Sequence, residues 1–347
     1  MRIASAHSSS AVRRPGRVVF IGAVHEAQAA LTALLQSPLV SVAAVITPPD
    51  ENRQRLSGAA DLPGAARAAR VPLLRETDLN TPEAVARIRA LDPDLMVVVG
   101  WTRLLGPDLL SVPRNGCIGF HASLLPRHRG RAPVNWAILR GETVTGNTMM
   151  MLDPGVDTGD IVDQRTVRIG PEDTCATVYD RVARAGAGML LAQLPALLTG
   201  TAPRRPQDPA EGDVLPRRTP GMGVIDWDRP AHAVHDWVRA LTMPYPGAFG
   251  ALEGERVMVW RTHPPCGDEP GGPPGSVLAV EPDGVRVATR TNSVLVTEMS
   301  RPTEQPQPAG YWARQAGVRP GARFEAVAPE VARWVLGKGP RPEGVAR

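Results

Sequence analysis

Two residues in this sequence have the types and surroundings that proton transfer needs. His121 closes the run Cys117-Ile-Gly-Phe-His121, which reads as a β-strand, and is followed by Ala122-Ser-Leu-Leu-Pro126 and a basic loop over Arg127–Arg131. Asp157 sits in Asp153-Pro-Gly-Val-Asp-Thr-Gly-Asp160, a Gly-bearing turn between two strand-like runs. A histidine at the carboxyl end of a strand, met by a carboxylate from a later turn, makes a general base with its orienting acid. A lone histidine is more often structural, and the residues by themselves leave both readings open. The Asp153–Asp160 turn lacks the Gly at the sixth and Glu at the twelfth position of an EF-hand loop, so calcium is not favoured. His232 and His235, three apart on a helix-like stretch, could share a metal but have no third ligand nearby, and an exposed helix face is the plainer reading. No metal is expected. The first strand ends Gly22-Ala-Val-His25, which is not the dinucleotide fingerprint.

The elements that must position these residues alternate in the α/β manner. Strands are predicted over Arg17–Gly22, Val40–Thr47, Leu95–Gly100 and Cys117–His121, with helices over Ala27–Leu35, Pro63–Ala69 and Pro82–Leu91, the last opened by a Thr81 cap. Continuous apolar strands of this kind belong to a parallel sheet covered on both faces, whose ligands lie beyond the carboxyl ends of the strands. A helix over Pro133–Arg140, a hairpin from Thr143–Leu152 and Ile161–Val167, and a long helix over Cys175–Leu198 follow. Residues 201–222 have no periodicity and read as a linker. Beyond them come one amphipathic helix (Pro230–Leu241) and five short strands with turn signals, a small barrel or sandwich over 223–325. Residues 1–16 and 326–347 read as tails flanking a catalytic domain over 17–200.

The chain has 347 residues, 43% hydrophobic and 21% charged, with a net charge of +4. That is ordinary globular composition and room for two domains. No uninterrupted apolar run reaches the roughly 18 residues of a membrane helix, and no signal-peptide core is present. Cys117, Cys175 and Cys266 match no zinc spacing and fit a reduced, cytoplasmic setting better than a disulfide framework.

The string GCIGFHASLLPRHRGRAPVNWAILRGETVTGNT, followed by DPGVDTGDIV, resembles the formyltransferases that use 10-formyltetrahydrofolate. Methionyl-tRNA formyltransferases belong to that family, and the nearer likeness is to the branch that formylates aminoarabinose on a UDP-sugar. That branch shares RGRAP-x-NW, Gly-Glu-Thr, the RRTP at Arg217–Pro220 and an arginine like Arg103. The likeness runs from about residue 17 to 300. It implies a doubly wound Rossmann-like domain followed by a small OB-like β-rich domain. It also implies that His121 is the general base and that Asp157 orients it. Val99, Gly100, Ser123, Leu124, Leu125, Pro126, Gly155, Thr158 and Asp160 would hold the folate, mostly through main chain. Trp101, Arg103, Arg129 and Arg131 would meet the acceptor by stacking or by bidentate contact with phosphate or carboxylate; Trp136 is a second stacking candidate.

One position departs from the family pattern. Where relatives carry Asn two residues before the histidine, this chain has Gly119. Losing such an oxyanion donor costs on the order of 100–1,000-fold in turnover. Asn147 is the candidate replacement, with Asn115 and Asn135 behind it; a water, a backbone N–H, or loss of activity are the other readings. The acceptor expected is a small amine: an amino sugar, perhaps nucleotide-linked, or an amino-acid-derived amine or hydroxylamine. The alternatives are methionyl-tRNA, hydrolysis of the folate, or inactive folate binding. The loop after the second strand, Pro48–Arg55, is short and mixed in sign rather than Lys-rich, so a nucleic-acid partner is not favoured. A monomer or homodimer without membrane contact is expected.

Overall fold

The computed structural model describes residues 14–53, 56–263 and 271–343. Most of the expected N-terminal tail, Gln54 and Arg55 of the mixed-sign loop, Cys266 and the last four residues lie outside them.

Strands β1 (Gly16–Gly22), β2 (Val40–Thr47), β3 (Leu73–Arg75), β4 (Leu95–Val99) and β5 (Cys117–His121) run parallel. After a two-residue β6 (Arg129–Gly130), β7 (Val144–Met151) and β8 (Ile161–Arg168) add an antiparallel hairpin, giving the sheet order β3-β2-β1-β4-β5-β7-β8. Along β1, Val18 and Phe20 enter one core while Val19 and Ile21 enter another on the opposite face. This two-sided burial is why the run has no polar alternation.

Helices α1 (His25–Gln36), α2 (Asp50–Arg53), α3 (Leu62–Ala68), α4 (Pro82–Ala90), α5 (Pro107–Leu110), α6 (Pro133–Leu139) and α7 (Cys175–Thr199) complete the domain. Thr81 caps α4 by accepting the Ala84 N–H at 3.2 Å. Among the described residues α7 alone is long and apolar enough, by length and composition, to cross a membrane. It buries Val182, Met189, Leu190 and Leu194 in the core and packs on α1, β7 and β8, so it is a core helix.

The 201–222 segment, expected to be a linker, is bound to the catalytic domain. Arg205 and Ile161 exchange main-chain hydrogen bonds at 2.8 and 2.9 Å. Strand β9 (Val214–Leu215) pairs in parallel with β6, and Leu215 and Met222 are buried. Its polar side chains bond to loops elsewhere in the chain, so it needs no period of its own.

Helix α8 (Ala231–Leu241) follows and joins Val134, Trp136 and Val178 to Trp237 and Val238 in one core across the domain junction. An antiparallel sheet comes next: β10 (Ala248–Leu252), β11 (Glu255–His263), β12 (Val277–Val280), β13 (Val285–Ala288) and β14 (Ser293–Ser300), in the order β10-β11-β14-β13-β12. Strand β15 (Gln307–Pro308) pairs with β14 and leads into α9 (Ala309–Gln315). The expected C-terminal tail instead folds as α10 (Pro329–Val335), which buries Trp334 and Val335. Only a few apolar residues anchor it, too few for a legible period.

His235 is not on an exposed helix face. It is buried on α8, with Nδ1 2.8 Å from Thr262 Oγ1 and Nε2 3.0 Å from the Pro171 carbonyl, and burial lowers its pKa. Cys117 and Cys175 are unbonded, and burial pushes both thiols up to about 12.

Candidate active site

His121 stands at the carboxyl end of β5 and is 7% exposed. Its Nδ1 lies 3.5 Å from Asp157 Oδ2, and its Nε2 lies 2.7 Å from the His128 carbonyl oxygen. A carbonyl only accepts, so Nε2 carries a proton in this arrangement, and Nδ1 is the ring nitrogen that faces Asp157. Asp157 is held from two directions. Its Oδ2 accepts the Gly130 N–H at 2.8 Å, and Gln207 Nε2 donates to the Asp157 and Gly159 carbonyls at 2.9 and 2.7 Å. The residue is left-handed, with φ +53°, a conformation non-glycine residues adopt at a cost.

His128, also left-handed at φ +59°, is set by the 201–222 segment. Its N–H donates to Asp213 Oδ1 at 2.7 Å, and its Nε2 lies 3.1 Å from Glu142 Oε1. Burial alone would raise the Asp213 carboxyl, but the His128 N–H and Arg140 outweigh it and hold it below the usual carboxylate range. Gln207 and Asp213 are the functional residues that sequence reasoning missed. Both lie in an aperiodic Pro- and Arg-rich stretch where no pattern marks them.

Asp157 opens onto a cleft of about 1270 Å³ between the two domains. Gly100, Trp101, Arg103 and Arg131 line it, with Glu26, Tyr179 and Tyr245 on other walls. Gly100 has φ +65°, and a Cβ there would lie 2.1 Å from Val24 Cγ2, so glycine lets the chain turn into the cleft at the end of β4. Arg103 pairs with Asp78 at 3.4 Å, and Arg131 donates to the Thr102 carbonyl at 3.1 Å.

Several expected site residues are elsewhere. Arg129 is buried and forks onto Gln207 Oε1 at 2.9 and 3.2 Å, so it supports the Asp157 turn rather than meeting an acceptor. Asn147 does not replace the missing amide. His121 pairs with Thr148, and Gly119 with Met150, across β5 and β7, so Asn147 lies on the opposite face. There it is buried against α7 and donates to the Val182 carbonyl at 2.9 Å. Asn115 donates to Leu198 O at 2.9 Å; Asn135 lines the cleft but gives its amide to Ala240 O at 2.6 Å. Trp136 is core, its Nε1 donating to Pro216 O at 3.1 Å.

The expected folate-binding loops are largely self-satisfied. Ser123 Oγ donates to Arg127 O at 2.8 Å, Leu125 N donates to Thr148 Oγ1 at 3.1 Å, and Leu125 O accepts from Gln164 Nε2 at 2.8 Å. Leu124 packs over Gly146, beside the Leu125–Pro126 bond. Gly155 N and Thr158 Oγ1 both donate to Asp153, and the Asp160 carbonyl accepts from Met151 N. Val99 is buried in β4. These residues make a rigid rim, and of the nine only Gly100 lines the cleft.

An α/β domain with a His–Asp pair beyond its strand ends, joined to an antiparallel β domain across a cleft, is the class of protein defined here. Residues 16–194 match the formyl transferase family and residues 218–317 match the formyl transferase C-terminal domain, so the chain belongs to the formyl transferases, enzymes of 10-formyltetrahydrofolate-dependent formyl transfer. The methionyl-tRNA formyltransferase of Citrifermentans bemidjiense is 36% identical over 309 residues, 88% of this chain and 95% of that one. That of Myxococcus xanthus is 38% identical over 286 residues, 82% and 89% of the two chains. Among solved structures, the N-formyltransferase of Helicobacter canadensis, in complex with folinic acid and dTDP-3-aminofucose, superposes with a TM-score of 0.63. It is 16% identical and covers 80% of this chain and 98% of that one.

Proposed function

We propose that the protein transfers the formyl group of 10-formyltetrahydrofolate to the α-amino group of methionyl-tRNA. The observation that carries this reading is the end-to-end correspondence, over both domains, with methionyl-tRNA formyltransferases. The cleft supports it: at about 1270 Å³ it exceeds the roughly 300–1,000 Å³ of an ordinary small-molecule site. It therefore has room for a folate beside the end of a second large substrate.

The residues present suit the donor. Trp101 Nε1 is buried without a partner beside Gly100 in the cleft wall, an N–H that fits a ring bearing acceptor atoms such as a pterin. The amine attacks the formyl carbon, a C–N bond forms, and the carbonyl electrons move to oxygen. His121 Nδ1 takes the amine proton, and Asp157 stabilises the resulting imidazolium. Collapse of the oxyanion breaks the bond to folate N10, which takes the proton back from His121 and leaves as a secondary amine.

A small amine, nucleotide-linked or free, is the second reading, favoured by the loop after β2. Arg53 in that loop and Arg75 at the end of β3 both bond Asp50 Oδ1, at 2.8 and 2.7 Å, so these cations are engaged within the chain rather than offered to a tRNA backbone. Formylation assays with charged initiator tRNA and with a panel of amino sugar nucleotides separate the two. Product on the tRNA alone supports the first reading, and product on the amines alone replaces it with the second.

A further inference from the structure

We propose that Arg217, Arg218 and Thr219 form a subsite for phosphate oxygens of the acceptor. All three line the same cleft as Asp157. The Arg218 guanidinium lies between two indoles, 4.8 Å from the Trp136 ring centre and 5.1 Å from that of Trp237. Nη1 donates to the Val335 carbonyl at 3.1 Å and Nη2 to the Met222 carbonyl at 2.6 Å. Among the described residues its remaining donors have no hydrogen-bond partner and no carboxylate pairs with it. Burial pushes it down to about 9, so it remains a cation at neutral pH, and no neighbouring charge offsets that burial.

The two flanking residues are incomplete in the same sense. Arg217 is exposed and makes no ion pair or side-chain hydrogen bond to any described residue. Thr219 Oγ1 is buried with no hydrogen-bond partner among the described residues. Two guanidinium groups without a carboxylate partner and an orphaned hydroxyl on consecutive residues want an acceptor with several oxygens and negative charge. A desolvated cation is unfavourable until paired, and the guanidinium fork matches phosphate oxygens two at a time. A carboxylate has only two oxygens, whereas a phosphate or pyrophosphate has enough to satisfy the two forks and the hydroxyl together. The stacked indoles fix Arg218 in advance, so little freedom is lost on binding. The inference deepens the acceptor reading above and rests on it only in requiring an acceptor that carries phosphate, which charged tRNA and nucleotide-linked amines both do.

The test titrates the full chain with inorganic pyrophosphate, following thermal stability and binding at two salt concentrations. Arg218 also ties Met222 and Val335 together, so the variants are Arg217→Gln and Thr219→Val, which spare that clamp; Arg218→Lys, retaining charge without the fork, is a third. Pyrophosphate should stabilise the wild type, less so at high salt, and each variant should weaken the affinity about 10-fold or more. Competition by uridine diphosphate or by uncharged tRNA then identifies the source of the phosphate. No pyrophosphate binding, or equal binding by wild type and variants, overturns the subsite. So does a rise in KM for the folate alone, which would assign these residues to its glutamate carboxylates. Pyrophosphate binding needs no turnover, so failure to formylate tRNA would sink the acceptor reading and leave the subsite standing.

Discussion

Leu152 occupies the space beside Gly119: a Cβ built on Gly119 would lie 2.5 Å from Leu152 Cδ2. This is where the resembled family carries its asparagine, and the residues on that face of β7 are Val144, Gly146, Thr148 and Met150. Thr148 Oγ1 already donates to Ser123 O at 2.7 Å and accepts from Leu125 and Gln164. No side-chain amide therefore faces the reacting position from β7. Gly119→Asn alone should clash and lose stability. Gly119→Asn with Leu152→Ala should fold and raise kcat by about 10-fold or more, since one oxyanion donor is worth on the order of 100-fold. An unchanged kcat in a stably folded double variant would contradict this.

The His–Asp pair is tested by replacement. His121→Ala and Asp157→Ala should each lower kcat by at least about 100-fold with the fold retained by circular dichroism. Turnover near wild type in either would remove the proposed base.

Asn147→Ala should behave as a stability variant. Its amide ties β7 to α7, where a Cβ on Gly186 would lie 2.7 Å from Asn147 Nδ2, so the contact is tight. A loss of about 1–2 kcal/mol in urea unfolding is expected with kcat little changed, a buried hydrogen bond traded against an Oδ1 that has no partner. A large fall in kcat would restore a catalytic role.

Asp213 fixes His128, whose carbonyl orients His121. Its carboxyl is held below the usual range, so its contribution to stability is present above the unfolded value near 3.9 and is lost as pH falls through the folded one. Asp213→Asn should be less stable than wild type at pH 6, and the two should converge below about pH 4. A constant gap across that window would detach this carboxylate from the effect.

Much of the frame was legible because burial leaves a period. Val40–Thr47 and Cys117–His121 are strands over the predicted bounds, and Thr81 caps its helix as read. The His121–Asp157 pairing was legible because His121 closes a strand-like run and Asp157 sits in the turn between two others. The face of Asn147 was not. Alternation along β7 shows in the sequence but its phase does not, and the pairing with β5 sets Asn147 out of phase with His121. Gln207 and Asp213 act through single hydrogen bonds from an irregular segment, and such bonds leave no trace in spacing. Trp334 and Val335 were read as tail because two buried residues do not make a pattern.

The most direct test follows a formyl label from 10-formyltetrahydrofolate in the presence of charged initiator methionyl-tRNA, with His121→Ala in parallel. Label is expected on the methionyl α-amino group, at a rate at least about 100-fold lower in the variant. Label appearing only as free formate, or on tRNA at equal rates with and without His121, would contradict the account.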